Sequence, residues 1–471
     1  MIREVRVESG IVQGLAVQDP RITVFRGIPY AAPPIGPLRW RAPAPVKPWS
    51  GVLRAFDFAP SALQPITAES TFYGREWGVD DSAPMSEDCL YLNVWTPALG
   101  GSRETTRLRD GGPRPVMLWI HGGAYQCGST SEKECDGEEL ARMGVVVVSV
   151  SYRLNVFGFF SHPDLSRQSA SRPRPDRANF GLLDQSAALR WVRSNISRFG
   201  GDPDRVTLFG QSSGAASVLA HVCSPRDAGL FSRVIMQSGA GVGMFNHDLW
   251  SLGEAQATGR LFLDYLSVGS IDEARRLDAR TLLEAACRFP ASPYTHNHDE
   301  WSMPSNWSPC IDGVFLTDQY SETLSRGEGH RVDAIIGNTT HEFMAAGHDG
   351  AQVALGEQGN AELVRVWLRG GLPAPYCYSF AVAMPGDDSG AFHSCDLWFT
   401  FGTLQKSWRP FTGVHYDVSR AMVAYWTNFA ASGDPNGVGR THSSAPRWER
   451  HAGPSGDVLR IAEGISVTDL A

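Results

Sequence analysis

The start of the chain alternates between polar and apolar positions. In REVRVESGIVQGLAV and then ITVFRGIPYA, between Arg3 and Ala31, apolar residues recur at every second position over several stretches. A period of two is typical of strands that bury one face and expose the other. We therefore expect an antiparallel β ribbon here, leading into a Pro-rich crossing from Pro33 to Pro48.

Three runs further along are apolar at nearly every position. They are short and bounded by loops, which is typical of strands buried on both faces of a sheet: Leu90–Trp95, Val116–Ile120 and Val145–Val150. The segment Phe180–Phe199 instead has mostly helical spacing, and it feeds a strand at Val206–Phe209. Buried strands joined by a helix indicate an α/β fold with a large, mostly parallel central sheet.

Two later stretches do not match the pattern of sheet strands, and we interpret them as cap-like insertions. The first covers approximately residues 245–310; it is helix-rich and then irregular, with the His- and Trp-bearing run Tyr294–Trp307. The second covers approximately residues 347–371 and precedes a strand-like run at Tyr376–Ala383. Because one large sheet with inserted caps can hold 471 residues together, we expect a single domain over residues 1–471.

Charge and composition argue against two classes of partner, nucleic acids and membranes. The formal net charge is −8, so no global positive field attracts phosphate backbones, and we expect no nucleic-acid partner. The first residues lack the apolar core of a secretion signal, and the most apolar run, Met143–Val150, is too short to cross a bilayer. We expect no membrane association and a cytoplasmic location.

Eight cysteines are spread along the chain without CxxC pairs or zinc-ligand spacing. This distribution favours free, mostly buried thiols, although Cys127 and Cys135 are close enough in sequence to meet across a loop as a disulfide. We expect no metal and no organic cofactor.

The segment Val206–Ala215, VTLFGQSSGA, contains G-x-S-x-G between a buried strand and a run of small residues that can begin a helix. This pattern predicts a nucleophile elbow, in which a sharp strand-to-helix turn exposes the Ser212 hydroxyl. Glycine is needed at Gly210 and Gly214 because neighbouring backbones come too close for side chains. Taken alone the motif is weak, since common residues produce it by chance, and its position is what gives it weight.

An earlier Gly-rich loop supplies candidate oxyanion donors. It follows a buried strand in MLWIHGGAY, and its backbone N–H groups belong to Gly122, Gly123 and Ala124. The N–H of Gly123, that of either Ala124 or Gly122, and that of Ser213 predict a three-donor oxyanion hole. The alternative for this loop alone is an ordinary glycine turn.

Longer motifs then match in order over most of the chain. They include FRGIPYA from Phe25, EDCLYLN from Glu87, NFGLLDQ from Asn179, and FGGDPDRVTLFGQSSG from Phe199. In these segments the chain resembles the type B carboxylesterase and cholinesterase family, including its bacterial para-nitrobenzyl-esterase-like members. The resemblance implies an α/β-hydrolase fold, with helical cap insertions, and a Ser–Glu–His triad.

The resemblance assigns the remaining triad members by local motif. Glu342 lies in IIGNTTHEF and is the implied acid; His393 lies in FHSCDLWFTFG and is the implied base. The order Ser, acid, His is that of α/β-hydrolases in general. Asp184 and Asp396 are rival carboxylates that we interpret as structural hydrogen-bond partners. Ser238 resembles the family's serine behind the triad, although a plain strand-end turn is the alternative.

The chain also departs from the family pattern. Phe343 stands where Gly is common, and only 51 positions separate Glu342 from His393, where relatives usually carry a longer helical insertion. A wider mouth over Ser212 follows as a hypothesis, and with it bulky or aromatic esters as substrates. Val79 occupies the position of the choline-binding Trp, which argues against choline esters.

The sequence therefore predicts a serine carboxylesterase that forms an acyl-enzyme on Ser212, with His393 as general base and Glu342 as orienting acid. The partner is a small-molecule ester, and the protein is a monomer or homodimer. A lipase, thioesterase or amidase with the same triad is the nearer alternative. A non-catalytic binding protein on the same fold is the more distant one.

Overall fold

A computed structural model describes most of the chain. The described residues are 2–66, 70–77, 84–97, 99–100, 107–108, 112–171, 175–239, 249–293, 306–342, 344–346, 352–437, 446–453, 456–463 and 465–469.

The central sheet has thirteen strands. In chain order they are β1 Ile2–Val7, β2 Gly10–Ala16, β3 Thr23–Pro29, β4 Val52–Arg54, β5 Tyr91–Thr96, β6 Arg114–Ile120, β7 Val146–Val150, β8 Gly201–Gln211, β9 Arg233–Gln237, β10 Asp333–Thr339, β11 Tyr376–Phe380, β12 Asp457–Ile461 and β13 Ser466–Asp469. Their spatial order is β1-β2-β3-β5-β7-β6-β8-β9-β10-β11-β12-β13, with β4 beside β2.

Parallel pairing runs without interruption from β7 through β6, β8, β9, β10 and β11 to β12. The N-terminal strands β1, β2, β3 and β5 pair antiparallel, which confirms the predicted ribbon. Among the described residues, four small two-stranded pairs lie outside the sheet: Ser61–Ala62 with Met85–Ser86, Leu99–Gly100 with Arg107–Leu108, Trp250–Ser251 with Cys310–Ile311, and Met344–Ala346 with Gln352–Ala354.

Thirteen α-helices lie in the described part of the chain. They are α1 Phe72–Trp77, α2 Glu138–Arg142, α3 Asn155–Phe159, α4 Pro163–Ser169, α5 Phe180–Asn195, α6 Ser213–Cys223, α7 Leu252–Tyr265, α8 Ile271–Ala274, α9 Ala279–Arg288, α10 Tyr320–Ser325, α11 Leu355–Arg369, α12 Leu397–Thr400 and α13 Gly413–Ser432. Short 3₁₀ turns form at Gly36–Leu38, Lys133–Cys135, Ile196–Phe199 and Leu404–Lys406.

The sheet is buried on both faces, as the apolar runs predict. Along β6, Val116, Leu118 and Ile120 belong to one hydrophobic cluster. The intervening Met117 and Trp119 belong to the cluster on the other face. Successive strand side chains point to opposite faces, so a strand between two cores must be apolar at every position. The predicted α/β-hydrolase architecture is confirmed in its central sheet and flanking helices.

The two predicted insertions contain helices. Helices α7, α8 and α9 lie in the first, and α11 lies in the second with Leu363, Val366 and Trp367 buried. Residues 240–248, 294–305 and 347–351 lie outside the described residues, and so does most of the run Tyr294–Trp307. The cap role of both segments stays a prediction.

Two other expectations concern thiols and membranes. All eight cysteines are free, so Cys127 and Cys135 do not form the disulfide that their spacing left open. Among the described residues, no helix has both the length and the apolar character that a membrane crossing requires.

Helix α7 packs closely on the core through a glycine, which gives a matched test of the fold. A Cβ on Gly259 would lie 1.8 Å from the Ser161 carbonyl oxygen, whereas Gly253 on the same helix is exposed and has no atom nearer than 3.8 Å. We expect Gly259→Ala to lower the free energy of unfolding by about 1–3 kcal/mol. Gly253→Ala, at the exposed second residue of the helix, should change it by less than about 0.5 kcal/mol.

Urea denaturation of both variants, with wild type alongside, measures these changes. Equal effects of the two substitutions would contradict the packing of α7 described above.

Candidate active site

The turn from β8 into α6 holds Ser212 in an uncommon backbone conformation. Its φ is 56° and its ψ is −129°, a region that non-glycine residues seldom adopt. The Ser212 N–H donates to the Gln237 carbonyl at 2.9 Å, which fixes the turn to the end of β9. Helix α6 begins at the next residue, Ser213. The predicted elbow is therefore present, between the strand and the helix that the sequence indicated.

Glycines make this turn sterically feasible. A Cβ on Gly210 would lie 2.6 Å from the Gly214 carbonyl carbon, and one on Gly214 would lie 2.2 Å from the Ile120 carbonyl oxygen. A Cβ on Gly239 would lie 2.0 Å from the Ser212 carbonyl oxygen. Real Cβ atoms do not approach other atoms this closely, so backbone meets backbone on three sides of the turn.

Glu342 and His393 meet beyond the ends of the neighbouring strands. Glu342 Oε2 lies 2.6 Å from His393 Nδ1, and Glu342 Oε1 accepts from the Thr339 N–H at 3.2 Å. The Glu342 carboxylate is buried, whereas the His393 side chain keeps 11% of its exposure. An ionised carboxylate can only accept hydrogen bonds, so Nδ1 is the donor in this contact, and in a neutral imidazole Nε2 is then the acceptor.

Backbone contacts hold the segments that contain Glu342 and His393 side by side. The segments pair at a single bridge between His341 and Phe392, with the His341 N–H donating to the Ala391 carbonyl at 3.0 Å. At the start of α11, a Cβ on Gly356 would lie 2.6 Å from Glu342 Oε1. The helix of the second predicted insertion therefore packs directly on the Glu342 carboxylate.

Gln211 is a site residue that the sequence analysis missed. Its Nε2 lies 3.1 Å from His393 Nε2, so the side chain amide donates to the acceptor nitrogen of the ring. Gln211 immediately precedes Ser212, and that position inside G-x-S-x-G was the one signal available in the sequence. The contact brings the His393 ring to the elbow itself.

A second buried histidine–carboxylate pair shows that the short distance alone does not identify a catalytic pair. His221 Nδ1 also lies 2.6 Å from Asp227 Oδ2, with both side chains fully buried. The other nitrogen of His221 faces the Gln185 amide oxygen at 2.9 Å, and Ser186 donates to the far side of Asp227. This pair lies within a closed network, whereas His393 is partly open and adjoins the elbow.

The Gly-rich loop lies against the elbow. A Cβ on Gly122 would lie 3.1 Å from Ser212 Cβ, and the Tyr125 N–H donates to Ser213 Oγ at 3.2 Å. Gly123 and Ala124 have φ values of 103° and 53°. Among the described residues, the N–H groups of Gly122, Gly123, Ala124 and Ser213 donate to no acceptor, which leaves them available to a bound oxyanion.

The rival carboxylates have structural partners, in agreement with their predicted role. Asp184 forms a buried bidentate pair with Arg153 at 2.7 Å. Asp396 Oδ2 accepts from Gln237 at 2.9 Å and from the Tyr378 hydroxyl at 2.8 Å. Burial raises the pKa of Asp396 to about 6. Neither carboxylate contacts the His393 ring nitrogens in the described hydrogen bonds.

Ser238 lies where the predicted supporting serine should be, at the end of β9 and one residue before Gly239. Its side chain is fully buried, and its N–H donates to the Gly337 carbonyl at 2.8 Å. Its hydroxyl has no hydrogen-bond partner among the described residues. A role behind the triad stays a prediction.

Comparison with known proteins identifies the family. The carboxylesterase family model matches residues 2–360 and 354–469, which together cover nearly all of the chain. The chain belongs to the carboxylesterase family.

Curated members of this family are similar over more than two thirds of the chain. A fumonisin B1 esterase from Sphingopyxis macrogoltabida is 36% identical over 342 residues, which is 72% of this chain and 56% of that protein. The para-nitrobenzyl esterase from Bacillus subtilis is 37% identical over 341 residues, 72% of this chain and 62% of that protein. The match thus spans little more than half the length of these relatives.

Solved structures of carboxylesterases are similar over almost the whole chain. A PNB esterase structure superposes with a TM-score of 0.82 and 26% identity, covering 99% of this chain and 97% of that one. A carboxylesterase from Geobacillus stearothermophilus superposes with a TM-score of 0.77 and 29% identity over the same shares. The family resemblance predicted from the motifs is confirmed.

Proposed function

We propose that this protein is a serine carboxylesterase, with Ser212 as nucleophile, His393 as general base and Glu342 as the acid that orients the base. The observation that carries the proposal is the Glu342–His393 hydrogen bond of 2.6 Å beside the strained elbow that holds Ser212. Membership of the carboxylesterase family supports it. By contrast, the buried His221–Asp227 pair is hydrogen-bonded to Gln185 and Ser186.

In the proposed reaction, Ser212 Oγ attacks the ester carbonyl carbon while His393 Nε2 takes the hydroxyl proton. The N–H groups of Gly122, Gly123, Ala124 and Ser213 stabilise the negative charge that develops on the carbonyl oxygen. The carbon–oxygen bond to the alcohol then breaks, and His393 returns the proton to the leaving alcohol. Water, deprotonated by His393, hydrolyses the acyl-enzyme and releases the acid.

Gln211 adds a constraint to this scheme. Its amide N–H occupies the same nitrogen of His393 that must accept the Ser212 proton. Before the attack, the Ser212 hydroxyl must therefore share His393 Nε2 with the Gln211 amide or displace that amide from it. Since every role is filled by side chains and backbone of the chain itself, the proposal includes no metal or organic cofactor in the reaction.

We further propose bulky or aromatic esters as the substrate class. The short connection of 51 positions between Glu342 and His393 supports a wide mouth over the site. Similarity to a fumonisin B1 esterase is consistent with this class. A lipase, thioesterase or amidase remains the alternative in reaction type, because the triad fixes acyl transfer and leaves the leaving group open.

Two finer predictions belong to the same proposal. We expect a cytoplasmic location and a monomer or homodimer that does not bind nucleic acid. Subcellular fractionation and size-exclusion chromatography with light scattering address them directly.

Removing any triad member should abolish most activity. We expect Ser212→Ala, His393→Ala and Glu342→Gln each to lower kcat for a para-nitrophenyl ester by about 10⁴-fold or more, because the three groups act as one unit. The matched control is His341→Gln, which alters an exposed ring next to Glu342 and should keep kcat within about threefold of wild type. Full activity of Ser212→Ala would contradict the proposal.

The Gln211 contact predicts a change in pH dependence. In Gln211→Glu, a carboxylate beside His393 Nε2 stabilises the imidazolium, so the acid limb of the kcat/KM profile should move to higher pH by about one pH unit. In Gln211→Met, which has similar length and no charge, the limb should move in the same direction but by less, because only the hydrogen bond to the neutral ring is lost. If the acid limbs of wild type and Gln211→Glu coincide, the Gln211 side chain does not contact the general base.

Substrate size provides a separate test of the mouth. We expect kcat/KM for branched or aryl-acid para-nitrophenyl esters to exceed that for the acetate by about tenfold or more, a difference of about 1.4 kcal/mol in transition-state binding. A panel of para-nitrophenyl esters with one leaving group measures it. Preference for the acetate would disprove the wide-mouth hypothesis and leave the triad proposal untouched.

A further inference from the structure

A second group of reactive side chains lies outside the proposed triad. Glu132, Glu134 and Cys135 are brought together at the 3₁₀ turn Lys133–Cys135, on the loop that follows the oxyanion donors. One carboxylate oxygen from each glutamate and the Cys135 sulfur all lie within 4.8 Å of one another. Three donor atoms at this spacing can bind a single cation after a small contraction.

Burial makes this arrangement costly unless a positive charge is added. Glu134 is 1% exposed and Cys135 is 2% exposed, and Glu134 Oε2 has no hydrogen-bond partner among the described residues. Glu132 Oε1 accepts a hydrogen bond from the Ser129 N–H at 2.8 Å. In the described part of the chain, neither carboxylate has an ion-pair partner within 4.0 Å. A buried carboxylate without a partner costs several kcal/mol in order of magnitude.

Lys133, the cation within this turn, is exposed to solvent. Burial raises the pKa of Glu132 to about 7 and raises the pKa of both Glu134 and Cys135 well above their usual ranges. The group is therefore buried and acidic, and it has no ion-pair partner among the described residues.

We propose that Glu132, Glu134 and Cys135 bind one divalent metal ion of the zinc class. Thiolate sulfur selects zinc and its borderline-soft neighbours over calcium and magnesium, which prefer oxygen alone. Three protein ligands and a water molecule complete a tetrahedron. Binding replaces the ligands' protons by the ion, so zinc affinity should increase as pH rises.

The position of the turn gives such an ion a stabilising role separate from the ester chemistry. The Glu134 carbonyl accepts from Thr403 Oγ1 at 2.8 Å, and Asp136 pairs with Lys406 at 2.6 Å. At the other end of the loop, the Gly128 N–H donates to Gln64 Oε1 at 2.8 Å. The ion would brace the oxyanion loop against the segment that follows His393.

The three ligands do not match a recognised zinc-ligand spacing, so the sequence alone predicts no metal here. Ligands within four consecutive residues, Glu-Lys-Glu-Cys, are brought together by the tight 3₁₀ turn. The proposal does not depend on the proposed esterase function.

The test begins with metal content. Purified protein is kept reduced, stripped with a chelator, equilibrated with Zn²⁺, freed of excess metal and analysed by inductively coupled plasma mass spectrometry. We expect about one zinc per wild-type chain and at least a tenfold lower content in Glu134→Gln and Cys135→Ser. Cys127→Ser, which alters the half-buried thiol of the same loop, should retain the metal.

Two readouts protect the test against variants that fail to fold. Zinc-edge X-ray absorption of wild type should report one sulfur and oxygen ligands without imidazole. Zinc at about 100 times its Kd should raise the wild-type Tm by about 3 °C, and leave Glu134→Gln unchanged. Absence of stoichiometric zinc from wild type, a sulfur-free spectrum, or equal zinc in Glu134→Gln would overturn the proposal.

Discussion

The close approach of three backbones around Ser212 is the constraint on which the rest of the site depends. Gly214 packs on the carbonyl at the end of β6, and Gly239 packs on the carbonyl of Ser212 itself. These contacts hold Ser212 at a φ of 56° that the turn alone does not favour. The sheet supplies the rigidity, because β6, β8 and β9 are adjacent parallel strands buried on both faces.

Parallel pairing explains why the other functional groups gather at the same edge. The carboxyl ends of β6, β8 and β10 lead respectively to the Gly122 loop, the Ser212 elbow and the Glu342 segment. A residue placed after any of these strands therefore lies near the others, however distant in sequence. His393 is the exception; its segment is positioned by the backbone bridge between His341 and Phe392.

Local sequence patterns predict some parts of this site, and family resemblance is needed for others. Strands β5, β6, β7 and β8 followed from apolar patterning, because two-sided burial dictates residue type at every position; their ends differed, as in β8, which begins at Gly201 instead of Val206. Patterning did not predict β4, β9, β10, β12 or β13. The elbow followed from Gly210 and Gly214. Glu342 and His393 came from family resemblance, since spacing alone did not distinguish them from Asp396 or from the His221–Asp227 pair.

Contacts made by folding at a distance were not predictable in this way. The Gln211 amide reaches His393 across 182 positions, and no local pattern encodes that approach. The grouping of Glu132, Glu134 and Cys135 depends on one tight turn that packs against α12. Their residue types alone suggest a solvated acidic loop. Tertiary packing decides both.

The most direct test of the proposed nucleophile is labelling with a fluorophosphonate, followed by peptide mapping with mass spectrometry. Attack by Ser212 Oγ on phosphorus expels fluoride and leaves a stable adduct. We expect one adduct per chain on Ser212, and at least 10³-fold slower labelling in His393→Ala. Labelling at another residue would contradict Ser212 as the nucleophile, and an unlabelled wild-type protein would favour a binding protein on this fold.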